Sequence, residues 1–516
     1  MPPKKFAIIV GSGFAGSLLG WILARHGRDT VLVDRGKHPR FAIGESSTPT
    51  ADFLISYLSE RWDLAALKPL AAFGTWQTQV PELRCGLKRG FSYFGHRTGQ
   101  PYYDTPDHQH SLLVAASASD AWSDTHWYRA DVDAWMARQA TSAGAELHEQ
   151  SSLEQATWNP DKQSWSVLLQ SSEGPSHRFE APWLIDASGS GHATAAWCKH
   201  SEDSDWMRTR SSAIYGHFDQ VGSFSSLYTS QFGHAAEIFD SDDAAQHHIE
   251  SRGWFWMLRF LGDRTSVGFV EARPQHGTSG SGVAIEDAWK DWLLACPTVG
   301  QLLEPAILVD PKNALGEPQL QRVSRMSRCR SHACGRGWIA LPVAYGFVDP
   351  LHSFGIAHSL SGIARVAEGL LGEDSQQQRL LRSYSEELRR EIDWFDTLIS
   401  GSYRGLPSDR RFMAFAAIYF AAAVEFERQM ARDPAHWPHG YMNAALTELR
   451  ATTDRCWKLV GDHVGVSDER FIEAVRTAIQ PWNDVGLLDP KNKQRLDHTA
   501  PPKRLAMMLP KTSSTR

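Results

Sequence analysis

Cysteine is scarce and unpatterned: the 516 residues hold six, Cys85, Cys198, Cys296, Cys329, Cys334 and Cys456, with no CxxC pair. That spacing offers neither a disulfide framework nor a zinc site, and the nearest two, Cys329 and Cys334, read as reduced thiols, so no metal is expected. An excess of one charge is missing too. The formal net charge is −6 with 22% charged residues, and no basic stripe runs through the body of the chain, which argues against a nucleic-acid partner. Long apolar runs are also absent. The longest, residues 412–424, is too short to span a bilayer and carries a helical face suited to a core. The chain runs almost at once into its first apolar strand, which leaves no room for a signal peptide. A cytoplasmic protein without a membrane partner is therefore expected, and no internal repeat is visible.

What is present begins with Phe6-Ala-Ile-Ile-Val10, an apolar run that opens into Gly11-Ser-Gly13-Phe-Ala15-Gly16. A helical pattern follows through Leu18, Leu19, Trp21, Ile22 and Leu23, and Thr30-Val-Leu-Val33 then leads to Asp34. Strand, glycines, helix, strand and acid in this order describe a βαβ dinucleotide site. Gly11 turns the chain off the strand, Gly13 lets the backbone approach a pyrophosphate, and Gly16 lets the helix pack on the sheet. Asp34, about 20 residues on, is placed to accept hydrogen bonds from a ribose. No second glycine fingerprint of this kind, which a nicotinamide cofactor would use, is apparent. At 516 residues the chain exceeds the size of a single core, so two or three interlocked domains are expected. Twenty tryptophans are unusual; such rings can line a flat aromatic pocket, although most serve packing.

The loop His38-Pro-Arg40-Phe-Ala-Ile-Gly44-Glu45-Ser46 follows the second strand and precedes an amphipathic helix marked by Phe53, Leu54, Tyr57 and Leu58. It suits contact with the distal half of a large cofactor, or else a surface loop with a capping glutamate. Glycine fingerprint and loop together resemble the FAD module of flavin-dependent halogenases, in the branch acting on phenols. Cys85-Gly-Leu-Lys88-Arg-Gly-Phe91 is similar to the phenolic-halogenase form of the segment carrying the catalytic lysine. By spacing alone a solvated strand lysine is the simpler reading of Lys88, and the resemblance reverses that preference. Among aromatic rings a lysine loses solvation, which lowers its pKa and suits an ammonium or amine to hold hypohalous acid beside a ring.

Further along, Tyr128-Arg129-Ala-Asp131-Val-Asp133 starts a helix ending near Gly144. Arg129 resembles the arginine that FAD hydroxylases and halogenases set near the flavin's phosphates; equally, it can pair with Asp131 or Asp133. Alternation over 153–169, turned at Asn159-Pro-Asp161, reads as a hairpin, and Trp183-Leu-Ile-Asp186-Ala-Ser-Gly189 as a buried strand similar to the second nucleotide-contacting segment of glutathione-reductase-type folds. Aromatic alternating runs at 213–218, 225–232, 254–261 and 265–270 suggest an antiparallel sheet beside the cofactor domain. Trp254-Phe-Trp256 keeps the two tryptophans of the family's Trp-x-Trp-x-Ile-Pro signature, while Leu258-Arg259 replaces Ile-Pro. That departure leaves hydroxylation open. In the closing segment Pro342-Val343 stands where FAD oxidoreductases carry Gly-Asp, but Gly346-Phe-Val-Asp349-Pro-Leu-His-Ser353-Phe354-Gly355-Ile356 resembles the halogenase loop, whose backbone near Phe354 and Gly355 would hold halide.

The resemblance implies an α/β protein: a glutathione-reductase-type, Rossmann-like FAD-binding domain with an antiparallel-sheet substrate region and a helical C-terminal region. The expected division is 1–75, 111–199 and 331–375 for FAD, 76–110 and 200–330 for the substrate-side sheet, 376–490 for helices and 491–516 for a basic tail. Gly11, Gly13, Ala15, Gly16, Asp34, Arg40, Gly44, Glu45, Ser46, Arg129, Asp186, Asp349, Gly355 and Ile356 would surround FAD. The implied activity is halogenation of an electron-rich, phenolic ring with chloride or bromide. Reduced FAD from a separate flavin reductase, oxygen and halide would yield hypohalous acid, which Lys88 positions. Two other readings stand beside it: an aromatic monooxygenase that hydroxylates the same kind of ring, and a flavoprotein without catalysis. For a base toward the phenol, His96, Glu45 and His352 are unranked candidates.

Overall fold

The computed structural model describes residues 2–189, 192–232, 239–272 and 283–499. The two apolar runs of the fingerprint become fully buried strands, Ala7–Val10 and Thr30–Val33, which pair in parallel and enclose the helix Phe14–Arg25 between them in sequence. Four-residue apolar strands without polar alternation require cover on both faces, and a parallel sheet supplies it. Here the sheet has six strands, in the order Cys334–Gly335, Trp338–Ala340, Trp183–Asp186, Ala7–Val10, Thr30–Val33, Glu146–His148. Only the first of these is antiparallel to its neighbour. Helix Arg129–Ser142 packs on Phe14–Arg25, with Trp135 edge-on to Trp21 at 5.8 Å. It ends as expected at Gly144, which takes φ +109. The hairpin Ser151–Asn159 and Ser164–Ser171 turns where the sequence suggests: the Asn159 side chain accepts from the amides of Asp161 and Lys162, both at 3.0 Å.

The second layer is a nine-stranded mixed sheet. Its order is Ile307–Asp310, Ser211–Asp219, Arg264–Ala272, Gly253–Arg259, Ala245–Glu250, Gly90–Gly95, Ser111–Ala115, Leu496–His498, with Gln321–Val323 also on Ser211–Asp219. Trp254 and Trp256, two apart on one strand, face the same way with centroids 6.2 Å apart. The helices Asp374–Gly405, Asp409–Arg432, Thr447–Val460 and Asp468–Ile479 pack on one another, and the second of them meets the sheet at Gly90–Gly95. The apolar run 412–424 lies within the second of them and is buried throughout. Phe412, Phe415, Ile418 and Phe420 each contribute roughly 1.5–3 kcal/mol by burial, which makes this helix a core element. No helix among the described residues is long and apolar enough to cross a membrane.

Several local expectations change. Residues 225–232, expected as a strand, belong to the helix Phe224–Phe232, because Phe224 and Tyr228 recur at a four-residue spacing and both are buried. Two more helices, Ile285–Ala295 and Pro297–Leu303, interrupt the region expected as sheet; Trp289 and Trp292 fix the first of them to Phe218, Phe255 and Phe269. Residues 85–95 form two strands, broken at Arg89: Cys85–Lys88 pairs with Asp124–Trp127, and Gly90–Gly95 enters the large sheet. Ser111–Ala115, assigned to the FAD domain, joins that sheet as well. The segment expected as a basic tail contributes Leu496–His498, parallel to Ser111–Ala115; residues 500–516 lie outside the described residues.

Candidate active site

A cavity of about 900 Å³ lies at the carboxyl ends of the parallel strands, with Val10, Val33, Ala187 and Leu341 in its wall. The glycine loop shapes it. A Cβ on Gly11 would stand 2.4 Å from the Ala187 carbonyl oxygen, and one on Gly16 would stand 2.0 Å from the Gly11 oxygen. Neither position admits a side chain, so strand and helix close together and leave Gly13 and Ala15 lining the cavity. The positive end of the helix Phe14–Arg25 therefore lies at the cavity wall, where an anion is favoured.

Asp34, Arg40, Gly44, Glu45, Ser46, Arg129, Gly355 and Ile356 also line the cavity. The Asp34 carboxylate accepts from the Ser12 amide and hydroxyl (2.9 and 3.0 Å) and from the Gly36 amide (2.9 Å), and pairs with Arg40 at 2.9 Å. Burial pushes its carboxyl up, but Arg40 and the two backbone N–H groups outweigh burial and hold it below the usual range. Arg129 makes a two-pronged pair with Asp133 (2.8 and 2.9 Å) and donates to the carbonyl oxygens of Ile43 and Gly44. Glu45 is committed to His217 Nε2 at 2.6 Å and to the Ser266 hydroxyl at 2.8 Å. The buried Ser46 hydroxyl has no hydrogen-bond partner among the described residues.

Five of the residues expected to hold FAD, halide or the oxidised halogen stand off the cavity. Gly16 is a packing position. Asp186 accepts from the amide and hydroxyl of Ser188 and from Thr194, which shapes the turn that carries Ala187 to Gly189 into the wall. Asp349 is fully buried and accepts from Ser211, Tyr403 and the Leu351 amide; burial pushes its carboxyl up to about 6. Phe354 stacks on Phe395 at 4.1 Å, at the N-cap of the helix Gly355–Leu371. Arg259, which replaces the family's proline, turns away from the cavity to Asp242 and to the Val221 and Gly222 carbonyls, whereas Leu258 lines it.

Lys88 is the fifth. It has no solvent exposure; its ammonium donates to the Ser47 carbonyl and rests 4.0 Å from the centroid of the Phe91 ring. Burial lowers its pKa to about 8, against the opposing pull of Asp124 and Asp52. The His247 imidazole lines the cavity and also faces Tyr93 at 4.7 Å and Phe91, the ring that carries the Lys88 ammonium, at 6.0 Å.

Sequence reasoning overlooked two cavity groups, His247 and Arg328. Arg328 donates to the carbonyl oxygens of Gly189, Val343 and Met326, and lies beside Phe347. Among the described residues no carboxylate forms an ion pair with it, and burial followed by the neighbouring Arg330 lowers its pKa to about 10. The run Arg325-x-x-Arg328-x-Arg330 ahead of the closing strand was the available signal. A glycine cradle closed to any Cβ, an ionised Asp34, an unpartnered Ser46 hydroxyl and a cation without a counter-ion together fit FAD, with its ribose, polar chain and diphosphate.

Fold and cavity thus define an FAD-dependent oxidoreductase of the Rossmann-like type. The family described as "Tryptophan halogenase" matches residues 114–415 of the 516, and an NAD(P)-binding Rossmann-like domain matches residues 9–58. The chain belongs to the tryptophan halogenase family and is a flavin-dependent halogenase that uses FAD. It is 25% identical to the monodechloroaminopyrrolnitrin halogenase PrnC of Pseudomonas fluorescens over 81% of this chain and 71% of that one. With the tetracycline 7-halogenase of Kitasatospora aureofaciens it shares 26% identity over 77% and 69%. The crystal structure of halogenase PltM in complex with phloroglucinol and FAD has the same fold, with a TM-score of 0.81 at 21% identity over 95% of this chain and 99% of that one.

Proposed function

We propose that this halogenase installs chlorine or bromine on a phenolic small molecule, taking reduced FAD from a separate flavin reductase and using Lys88 to position the oxidised halogen. The observation that supports the reading is the seat of Lys88: fully buried, on the Phe91 ring, and off the cofactor cavity, whose wall residue His247 meets that same ring. A lysine seated off the cavity lets the oxidant be made in one place and used in another. The phloroglucinol bound to PltM is a phenol and supports the substrate class.

FAD, when bound and reduced, supplies with oxygen and halide the hypohalous acid. The chain's own residues do the rest. Asp34 accepts from the ribose, and Gly13, Ala15 and the start of their helix receive the diphosphate. Backbone N–H groups at Phe354 and Gly355 hold the halide at a second helix N-terminus. The Lys88 ammonium, fixed by Ser47 and Phe91, donates to the oxygen of hypohalous acid, which polarises the O–X bond and aims the halogen at the ring. Because Lys88 has no exposure, the rings around it part to admit substrate.

Incubation with reduced FAD, oxygen, chloride or bromide and a panel of phenols, followed by product masses, tests the reading. Halogen gain is expected. Halogen gain on other electron-rich rings but on none of the phenols would overturn the phenolic reading.

A further inference from the structure

His352 immediately precedes Ser353, a cavity residue held at φ +54, yet its own ring turns off the cavity and stacks on Tyr419 at 4.4 Å with the planes 6° apart. It is 1% exposed, and neither ring nitrogen has a hydrogen-bond partner among the described residues. A buried imidazole normally has both nitrogens satisfied, because each lost bond costs about 1–3 kcal/mol. The other two candidate bases are engaged: Glu45 holds His217 and Ser266, and His96 holds His248 at 2.9 Å. Tyr419 also meets Phe91 at 6.4 Å, the ring that carries the Lys88 ammonium. The Tyr93 hydroxyl, stacked beside Phe91, is likewise buried without a partner.

The geometry points to His352 as the group that receives the phenol hydroxyl and takes its proton while Lys88 holds the electrophile, with Tyr93 as a second hydroxyl contact. This rests on the phenolic reading above. In the step, the ring carbon bonds to the halogen and the O–X bond breaks, releasing hydroxide. The phenol O–H proton passes to His352, leaving a ring ketone. Hydroxide then removes the ring C–H proton as water, and His352 returns its proton to the phenolate oxygen. Burial, and then His247, lower the pKa of His352 to about 3, so it starts neutral with one nitrogen free to accept. A hydroxyl on a ring that has just bonded the halogen is a protonated ketone, acidic enough for so weak a base.

The test compares wild type with His352→Phe, which keeps an aromatic ring on Tyr419, on a phenol and on its methyl ether. The FAD-loaded enzyme is assayed for halogenation, and binding of each compound is measured by difference absorbance without flavin. His352→Phe is expected to lower kcat for the phenol about 100-fold and to weaken phenol binding, while the ether's rate and binding stay within about twofold. His352→Gln, which accepts a hydrogen bond but not a proton, is expected to keep phenol binding and still lose kcat; it serves if the Phe variant fails to retain its flavin. Equal losses for phenol and ether, or an unchanged phenol rate, would overturn the inference. Wild type that halogenates no phenol would instead bring down the phenolic reading on which it stands.

Discussion

The ammonium of Lys88 donates to the carbonyl of Ser47, and Ser47 directly follows Glu45 and Ser46, two residues in the cofactor cavity wall. One short segment therefore touches both the cavity and the lysine. It is fastened to the strand Asp124–Trp127: the Ser47 amide donates to the Thr125 carbonyl at 3.0 Å, and the Trp127 amide to the Glu45 carbonyl at 2.6 Å. That same strand pairs with Cys85–Lys88, so the lysine and the cavity wall share one framework.

Replacing Lys88 with alanine should abolish ring halogenation while FAD still binds and reduced flavin still consumes oxygen. Retained halogenation, read by product mass, would remove Lys88 from the chemistry. The pH profile gives a second check. With a folded pKa of about 8, Lys88 is an ammonium below that pH and loses its proton above it, so halogenation should fall as pH rises through about 8 while FAD binding does not. By linkage the depressed pKa means that folding disfavours the ammonium, and this penalty is relieved as pH rises from about 8 toward 10.5.

Arg328→Met removes a cavity cation that no described carboxylate pairs. If Arg328 meets a cofactor anion, the loss of a charge-assisted bond, about 1.5–3 kcal/mol, should weaken FAD binding roughly 10- to 100-fold in a fluorescence titration. Arg325→Met, which removes the same charge from a residue paired with Glu202 outside the cavity wall, should leave FAD affinity within about twofold.

Gly16→Ala would place a methyl group 2.0 Å from the Gly11 backbone oxygen. The helix must then move off the sheet, at a cost of about 1–3 kcal/mol. Denaturant unfolding should register that cost, and FAD affinity should fall with it.

Asp497→Ala tests the edge strand Leu496–His498. The Asp497 carboxylate accepts from the Leu488 amide at 3.2 Å and the Asn492 side chain at 2.9 Å, and is buried. Its loss should cost about 1–3 kcal/mol in urea unfolding, without changing FAD affinity.

The sequence by itself determined whatever depends on near neighbours. Apolar four-residue runs, glycines that only a tight turn explains and an acid after the second strand settled the βαβ unit around Gly11, Gly16 and Asp34; Asn159-Pro-Asp161 settled the hairpin turn. Where the sequence misled, a partner distant in the chain had decided the outcome. Residues 225–232 alternate like a strand but belong to a helix because Phe94 and His248 receive Phe224 at its start, and Leu496–His498 is ordered because Ser111–Ala115 offers it an edge. Tertiary structure alone decided the fate of Lys88, since a strand lysine is solvated or buried according to what folds over it, and here Ser47, 41 residues away, supplies the acceptor. Likewise only folding left Arg328 facing a cavity without a carboxylate pair, and His352 stacked with both nitrogens unspent, among the described residues, because burial and hydrogen-bond satisfaction are properties of surroundings rather than of sequence spacing.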